Sequence, residues 1–296
     1  MMDLTVCGVS KSFPGADALT GVSLALAPGT IHALVGENGA EKSTLLKIMA
    51  GIMRPDTGTV TLNDAPVYEN PAAKVKIAFV PTRSTLFSTY GIRDLKKLFR
   101  SMYGTFDEER FQSVIDGLNI GKKRVRHLST GMQMALSVAL ALAVQPDVLL
   151  LDEPFAGLDV LFRRRLIEAL IDESASRDIA IFVSSHNVDE LERLCDWVTF
   201  LSRGMIVNSG SVDGVKKSAV IRFQVVFSGD APIDIASWPG VIAAEEVGRV
   251  WTISVRGDDE DVVGRLKTYD LLLLEELPVT LEDAFVYSYM QGGERQ

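Results

Sequence analysis

The run Gly36-Glu37-Asn38-Gly39-Ala40-Glu41-Lys42-Ser43-Thr44 constrains this chain more than any other stretch. It follows Ile31–Val35, an apolar run that reads as a buried strand. It precedes Leu45, Leu46, Ile48, Met49 and Ile52, whose helical spacing covers one broad side. Strand, glycine-bearing loop and helix in that order set successive backbone N–H groups at a helix N-terminus, where they surround phosphate. The spacing assigns Lys42 to the β- and γ-phosphates and the Ser43 hydroxyl to Mg2+. One position departs, because the pattern wants glycine before the lysine and this chain has Glu41. A side chain at positive φ costs on the order of 1–2 kcal/mol. A carboxylate about 4 Å from a phosphate charge adds roughly 4 kcal/mol of repulsion at an effective dielectric of about 20. Glu41 is therefore expected to weaken nucleotide binding while leaving the fold intact, and to bond Lys42, Ser43 or nearby amides in place of phosphate.

Leu149-Leu150-Leu151-Asp152-Glu153-Pro154 ends a second apolar run with two adjacent carboxylates. That placement puts charge at the carboxyl edge of a sheet, where nucleotides bind. Asp152 can hold Mg2+ through water and Glu153 can polarise an attacking water. Around this pair the pattern alternates: helix over 132–143, strand over 148–151, helix over 161–176, strand over 179–184, helix over 188–195 and strand over 197–201. Such alternation implies parallel strands joined by crossover helices, with strands apolar on both faces. Leu161, Phe162, Leu166 and Leu170 supply the buried side of the second helix, and Arg163-Arg164-Arg165 a solvated one.

Upstream, residues 3–9 and 22–26 alternate like half-buried strands, and 76–80 reads as a strand. Over 92–103, Leu95, Leu98, Phe99, Met102 and Tyr103 recur at helical spacing opposite Arg93, Lys96, Lys97 and Arg100. Composition shifts after Gly210, where 213–218 is polar and linker-like. Beyond it, alternation around Phe223 and Ile253, a helical stretch over 261–269, a strand-like 271–274 and a Thr280/Asp283 helix start make a small α+β appendage.

With 296 residues, 47% hydrophobic and 23% charged, the chain has the profile of a globular protein of about two domains. Thirty Lys+Arg against 39 Asp+Glu, a formal charge of −9, argue against a broadly basic nucleic-acid surface. Cys7 and Cys195 are too few and too separate for a disulfide scaffold, which fits a reducing cytoplasm. No apolar run approaches the ~20 residues that span a bilayer, so nothing here is expected to cross a membrane by itself.

The ordered set of motifs resembles the ATP-binding subunit of an ABC transporter over roughly residues 1–210. Leu128-Ser129-Thr130-Gly131-Met132 stands where that family carries its LSGGQ signature, Gly157-Leu158-Asp159 matches its D-loop, and Ser184-Ser185-His186 ends a strand as its switch histidine does. Phe13 occupies the place of the aromatic that stacks on adenine. The resemblance implies an α/β P-loop NTPase of ABC type. Its parts are a largely parallel sheet, an N-terminal antiparallel β part and a helical subdomain at about 83–128 within a cassette of 1–212, followed by the appendage at 213–296. It further implies that ATP and Mg2+ bind at residues 36–44 and Asp152, with Glu153, His186 and Asp159 serving hydrolysis. Ser129 and Gly131 of one subunit would close over ATP on a second, identical or not. A separate permease would hold the chain at the cytoplasmic face of the membrane and contact the region between Thr82 and Leu128.

Three departures stand beside the resemblance: Glu41; Thr82, where the family has a Mg2+-touching glutamine that threonine is too short to replace; and Thr130 with Met132 in the signature. They keep a second expectation in view, a degenerate, non-hydrolysing regulatory subunit. A soluble tandem ABC protein acting on ribosomes or DNA is disfavoured by the single P-loop and the acidic charge. Ser-x-Gly-Met and the tail Pro278-Val279-Thr280-Leu281-Glu282-Asp283-Ala284-Phe285 resemble those of bacterial exporter ATPases.

Overall fold

The computed structural model describes residues 3–82, 89–118, 120, 124–229, 231–232, 234–256 and 260–293. They form two compact units, Met1–Val207 and Asn208–Gln296. The division falls a few residues before the expected 212/213 boundary.

In the first unit the chain runs through β1 (Leu4–Phe13), β2 (Ala16–Leu26), β3 (Ile31–Val35), α1 (Lys42–Met49), β4 (Thr57–Leu62), β5 (Ala65–Pro66), α2 (Pro71–Lys74) and β6 (Ile77–Val80). It continues through α3 (Ile92–Met102), α4 (Glu108–Gly117), α5 (Thr130–Ala143), β7 (Val148–Asp152), α6 (Val160–Arg177), β8 (Ala180–Ser185), α7 (Asp189–Glu192) and β9 (Trp197–Ser202). The last strand, β10 (Met205–Ser211), begins in this unit.

Two sheets result. The N-terminal one has the order β2-β1-β4-β5 and is antiparallel. The second has the order β10-β9-β3-β8-β7-β6, and β9, β3, β8, β7 and β6 are mutually parallel. Every residue of β3, β7 and β8 is buried, as strands with both faces covered require. Leu34, Leu45, Leu46, Ile48, Met49, Leu150 and Phe182 share one core that joins α1 to both sheets. Each such side chain contributes roughly 1.5–3 kcal/mol by leaving water.

Register sets the functional edge. Val35 pairs with Ser185, Asp152 with Ser184, and Val80 with Leu151. The carboxyl ends of β3, β8, β7 and β6 therefore line up, and the segments beginning at Gly36, His186, Glu153 and Pro81 leave the sheet side by side.

Several sequence expectations need correction. The helix over 188–195 is one turn, Asp189–Glu192; Val188, Leu191 and Leu194 are buried at every third residue, and the bonds from Leu191 N to Val188 O and from Leu194 N to Leu191 O, both 3.0 Å, are three-residue turns at its ends. Leu161 lies outside the Phe162/Leu166/Leu170 stripe, whose members are four apart, and is 71% exposed. Ile52 lies past the end of α1, and Met102 at the end of α3, and both face solvent. The strands β4 and β10 were not expected; both are half-buried or exposed over much of their length, which weakens their alternation.

The second unit adds α8 (Val212–Ala219), β11 (Val220–Phe227), β12 (Val241–Val247), β13 (Val250–Arg256), α9 (Glu260–Leu266), β14 (Leu271–Leu277) and α10 (Leu281–Gly293). Its antiparallel sheet has the order β12-β13-β11-β14. Phe223, Val225, Phe227, Ile253 and Val255 pack on Val262 and Leu266 of α9. The polar 213–218 is helix rather than linker: Ser211 accepts from Gly214 N at 3.1 Å, and Val212 and Val215 are its buried anchors among the described residues. Thr280 and Asp283 cap α10 reciprocally, Asp283 N to Thr280 Oγ1 at 3.2 Å and Thr280 N to Asp283 Oδ2 at 2.9 Å.

Candidate functional site

The loop after β3 reaches α1 through a left-handed residue, Glu41, at φ 71° and ψ 25°. The conformation is the one glycine adopts without cost, and Glu41 holds it with its carbonyl already accepting from Leu45 N at 3.1 Å. Its carboxylate accepts from the Thr44 hydroxyl at 2.7 Å. The partners expected for it are engaged elsewhere. Lys42 Nζ donates to Gly36 O at 2.6 Å and Glu37 O at 3.2 Å, and Ser43 Oγ donates to Asp152 Oδ2 at 2.6 Å.

A cavity of about 290 Å³ opens over this loop, lined by Asn38, Gly39, Ala40, Glu41, Lys42, Ser43, Thr82 and Glu153. Three of the aligned strand ends thus contribute to it directly. Glu153 enters from a left-handed backbone at φ 51°, which turns its side chain toward the P-loop. Its carboxylate is shared between Lys42 Nζ at 3.2 Å and His186 Nδ1 at 2.8 Å. Its N–H donates to Ser184 Oγ at 3.0 Å, and Ser184 donates in turn to Asp152 Oδ1 at 2.9 Å. Ser184 is fully buried, and it ties the two carboxylate residues together. Asp152 accepts from Ser43 and Ser184 on its two oxygens, a set of hard oxygen donors of the kind Mg2+ takes.

Other residues singled out in the sequence lie elsewhere. Phe13 ends β1 at 42% exposure, with Lys11 Nζ 5.7 Å from its ring centre, and does not line the cavity. Ser129 caps α5, accepting from Met132 N at 3.2 Å, and Asp159 caps α6, accepting from Phe162 N at 2.9 Å. Gly131 is buried against the D-loop, since a Cβ there would lie 2.5 Å from Leu158 Cδ2.

Residues that sequence reading passed over complete the surroundings. Arg163, taken as solvated, pairs through Nη1 with Glu190 Oε1 at 2.6 Å. Glu190 also accepts from Asn187 Nδ2 at 3.0 Å. Burial pushes the Glu190 carboxyl up, and the Arg163 charge opposes that rise. Arg163 carried no signal in the sequence; Ser184 carried one, a hydroxyl closing an apolar strand.

A buried parallel sheet with a P-loop, a strand-end Asp-Glu pair and a histidine on that pair defines a nucleotide-binding cassette. Comparison with known proteins gives the family. The sequence model of the ABC transporter family matches residues 19–156. The ABC transporter ATP-binding protein YtrB of Bacillus subtilis is 30% identical over 289 residues, 97% of this chain and 98% of its own length. A ribose import ATP-binding protein of Rhizobium meliloti, RbsA 1, is 33% identical over 74% of this chain, which spans 46% of that relative. Among solved structures, an ATP-binding subunit of an ABC transporter superposes with a TM-score of 0.66 at 26% identity, covering 72% of this chain and 92% of that one. The dimeric cassette MJ0796, bound to ADP and Pi, shares the fold with a TM-score of 0.64 at 20% identity, covering 70% of this chain and 98% of that one. The chain belongs to the family of ABC transporter ATP-binding proteins and is an ATP-binding subunit of that class.

Proposed function

We propose that this chain hydrolyses ATP in the cavity over residues 36–44, works in a pair with a second ATP-binding subunit, identical or not, and drives a separate membrane permease. The observation that carries the reading is the Glu153 carboxylate held between Lys42 and His186 inside that cavity. Lys42 has to give up its carbonyl and Glu153 contacts to meet phosphate, which frees Glu153 for water as nucleotide enters. Glu153 then takes the water's proton as the new P–O bond forms and the bond to ADP breaks, and His186 keeps the carboxylate in place. Ser43 and Asp152 would hold Mg2+, with Thr82 on the same cavity wall. Mg2+, when bound, supplies positive charge against the phosphate oxygens.

Ser129, Gly131 and Asp159 lie outside their own subunit's cavity, which supports their serving a neighbour's nucleotide. Val160 and Leu161, beside Asp159, are 77% and 71% exposed, apolar surface suited to a partner. For the permease, a groove of about 270 Å³ between β6, α3 and α5, lined by Phe79, Pro81, Phe99, Tyr103 and Ala141 among others, offers an apolar seat. Residues 83–88, 119 and 121–123, within the region between Thr82 and Leu128 expected to contact the permease, lie outside the described residues. No helix among the described residues is long and apolar enough to cross a membrane, which is consistent with attachment through a permease at the cytoplasmic face. The tail from Pro278 supports export as the direction.

The test is ATP turnover and light scattering of the wild type and Glu153→Gln. The variant should lose nearly all turnover while accumulating an ATP-bound dimer. Turnover like the wild type's would remove Glu153 from its role.

A further inference from the structure

Arg163 sits on α6 one turn beyond the cap Asp159 and spends its guanidinium in two directions. Nη1 meets Glu190 on α7 at 2.6 Å, and Nη2 donates to the carbonyl of Leu158 at 3.3 Å. Glu190 is held in turn by Asn187, the residue after His186, whose N–H donates to Ser185 Oγ at 2.9 Å. On its other side Leu158 is seated on Gly131 of the signature segment. One side chain therefore connects the loop Gly157-Leu158-Asp159 to the segment that carries His186.

Stability alone does not account for this arrangement. Arg163 Nε is buried with no hydrogen-bond partner, and Glu190 is only 11% exposed. A partly buried ion pair that leaves a donor unpaired is a poor source of stability compared with apolar packing. What it supplies is geometry, because a planar guanidinium holds its acceptors in a rigid fork, whereas the donors of an ammonium turn about a single nitrogen on a flexible stem.

We infer that Arg163 is a positioning residue whose fork, anchored by Glu190, holds the D-loop in register with the His186 segment, and that turnover depends on both of its contacts. The inference rests on the reading of the chain as an ATPase. Arg163 does not line the cavity, and its contacts to Glu190 and the Leu158 carbonyl lead toward Glu153 by way of Asn187 and His186.

The experiment uses the full chain and compares wild type, Arg163→Lys, Arg163→Met, Glu190→Gln and the charge swap R163E/E190R. Arg163→Lys keeps the ion pair and loses the bond to Leu158. It should lower kcat about tenfold, or about 1.4 kcal/mol of barrier. ATP affinity should stay within about twofold, so the loss appears in kcat and not in binding. The swap restores opposite charges without the Leu158 bond and should stay as slow as Arg163→Lys, with a thermal midpoint close to the wild type's. Wild-type kcat in Arg163→Lys, or equal losses of affinity and kcat, would overturn the inference. A wild type without turnover would sink the ATPase reading instead. In that case hydrogen exchange on the nucleotide-free chain still decides the clamp. Faster exchange over both 155–159 and 186–191 in Arg163→Met supports it, and unchanged exchange in either segment overturns it.

Discussion

The Glu41 carboxylate accepts a hydrogen bond from the Thr44 hydroxyl at 2.7 Å, within the first turn of the helix that Glu41 itself precedes. The acid at the P-loop's glycine position is thus folded back along α1, and the loop keeps the backbone that glycine would give it. The strain of φ 71° is already present without nucleotide, so it lowers stability and does not weaken binding. What opposes phosphate is charge, roughly 4 kcal/mol at about 4 Å and an effective dielectric of about 20. Glu41→Gly should therefore tighten Mg-ATP binding by more than about tenfold, the equivalent of 1.4 kcal/mol. Glu41→Gln should recover most of that gain, since it removes charge and keeps size. Calorimetric titration of the three proteins checks this, and equal affinities would show that the carboxylate swings clear.

Ser184 holds Asp152 Oδ1 and the Glu153 N–H together from a fully buried position. Ser184→Ala strands a buried carboxylate oxygen and a partly buried N–H, at a cost of about 1–3 kcal/mol. It also removes the bond that secures Glu153 in its left-handed backbone. The variant should show a lower thermal midpoint and a kcat reduced far more than its ATP affinity. A drop in stability with unchanged kcat would mean that Glu153 is positioned by Lys42 and His186 alone.

The candidate site was legible where chemistry sits at strand ends. Residues 36–44, Glu153 and His186 each follow a buried strand and Asp152 ends one, and parallel register brings such ends to one edge. Arg163 and Glu190 were not legible, because an arginine and a glutamate on separate helices read as solvated until the backbone between them is placed. The same ambiguity hid α8, whose two buried valines among polar residues look like a linker. The partner of Glu41 could not be foreseen either. Backbone carbonyls satisfy Lys42 and Asp152 satisfies Ser43, and only the three-dimensional loop shows that Thr44 is the donor left within reach.

His32, inside β3, is buried with Nε2 2.8 Å from Thr199 Oγ1 and its ring edge-on to Phe182 at 5.2 Å. Burial lowers its pKa from 6.5 to about 4. In the unfolded chain the imidazole takes up a proton near pH 6.5, so between about 6.5 and about 4 the unfolded state binds more protons. The stabilising effect is full above that window and is lost as pH falls through it, by about 3 kcal/mol if the whole shift counts. Urea unfolding at pH 7 and pH 4.5 should show a larger loss for the wild type than for His32→Gln, which cannot titrate. Equal losses would mean that other groups carry the acid sensitivity.

Gly36 opens the P-loop and Gly39 lies within it, each glycine for a different reason, and alanine should separate them. A Cβ on Gly36 would fall 2.4 Å from the carbonyl oxygen of Leu201 on β9 and 3.0 Å from the Cβ of Ala40. Neither neighbour is the end of a flexible side chain, so β3 or the loop has to move, at the 1–3 kcal/mol typical of overpacking. Gly39 has φ 84° and nothing within 4 Å of an added Cβ, so only backbone strain of about 1–2 kcal/mol opposes alanine there. Gly39 lines the cavity and Gly36 does not. Gly36→Ala should therefore lower the thermal midpoint and carry the Lys42 contact to Gly36 O with it, weakening nucleotide binding through a displaced loop. Gly39→Ala should lower the midpoint by a comparable amount, yet its binding defect should come from the methyl group in the cavity and be largest for the bulky nucleotide. Titration with ATP and with pyrophosphate distinguishes them: Gly36→Ala should weaken both alike, and Gly39→Ala should weaken ATP more. The same pattern in both variants would mean that the two glycines act through one common movement of the loop.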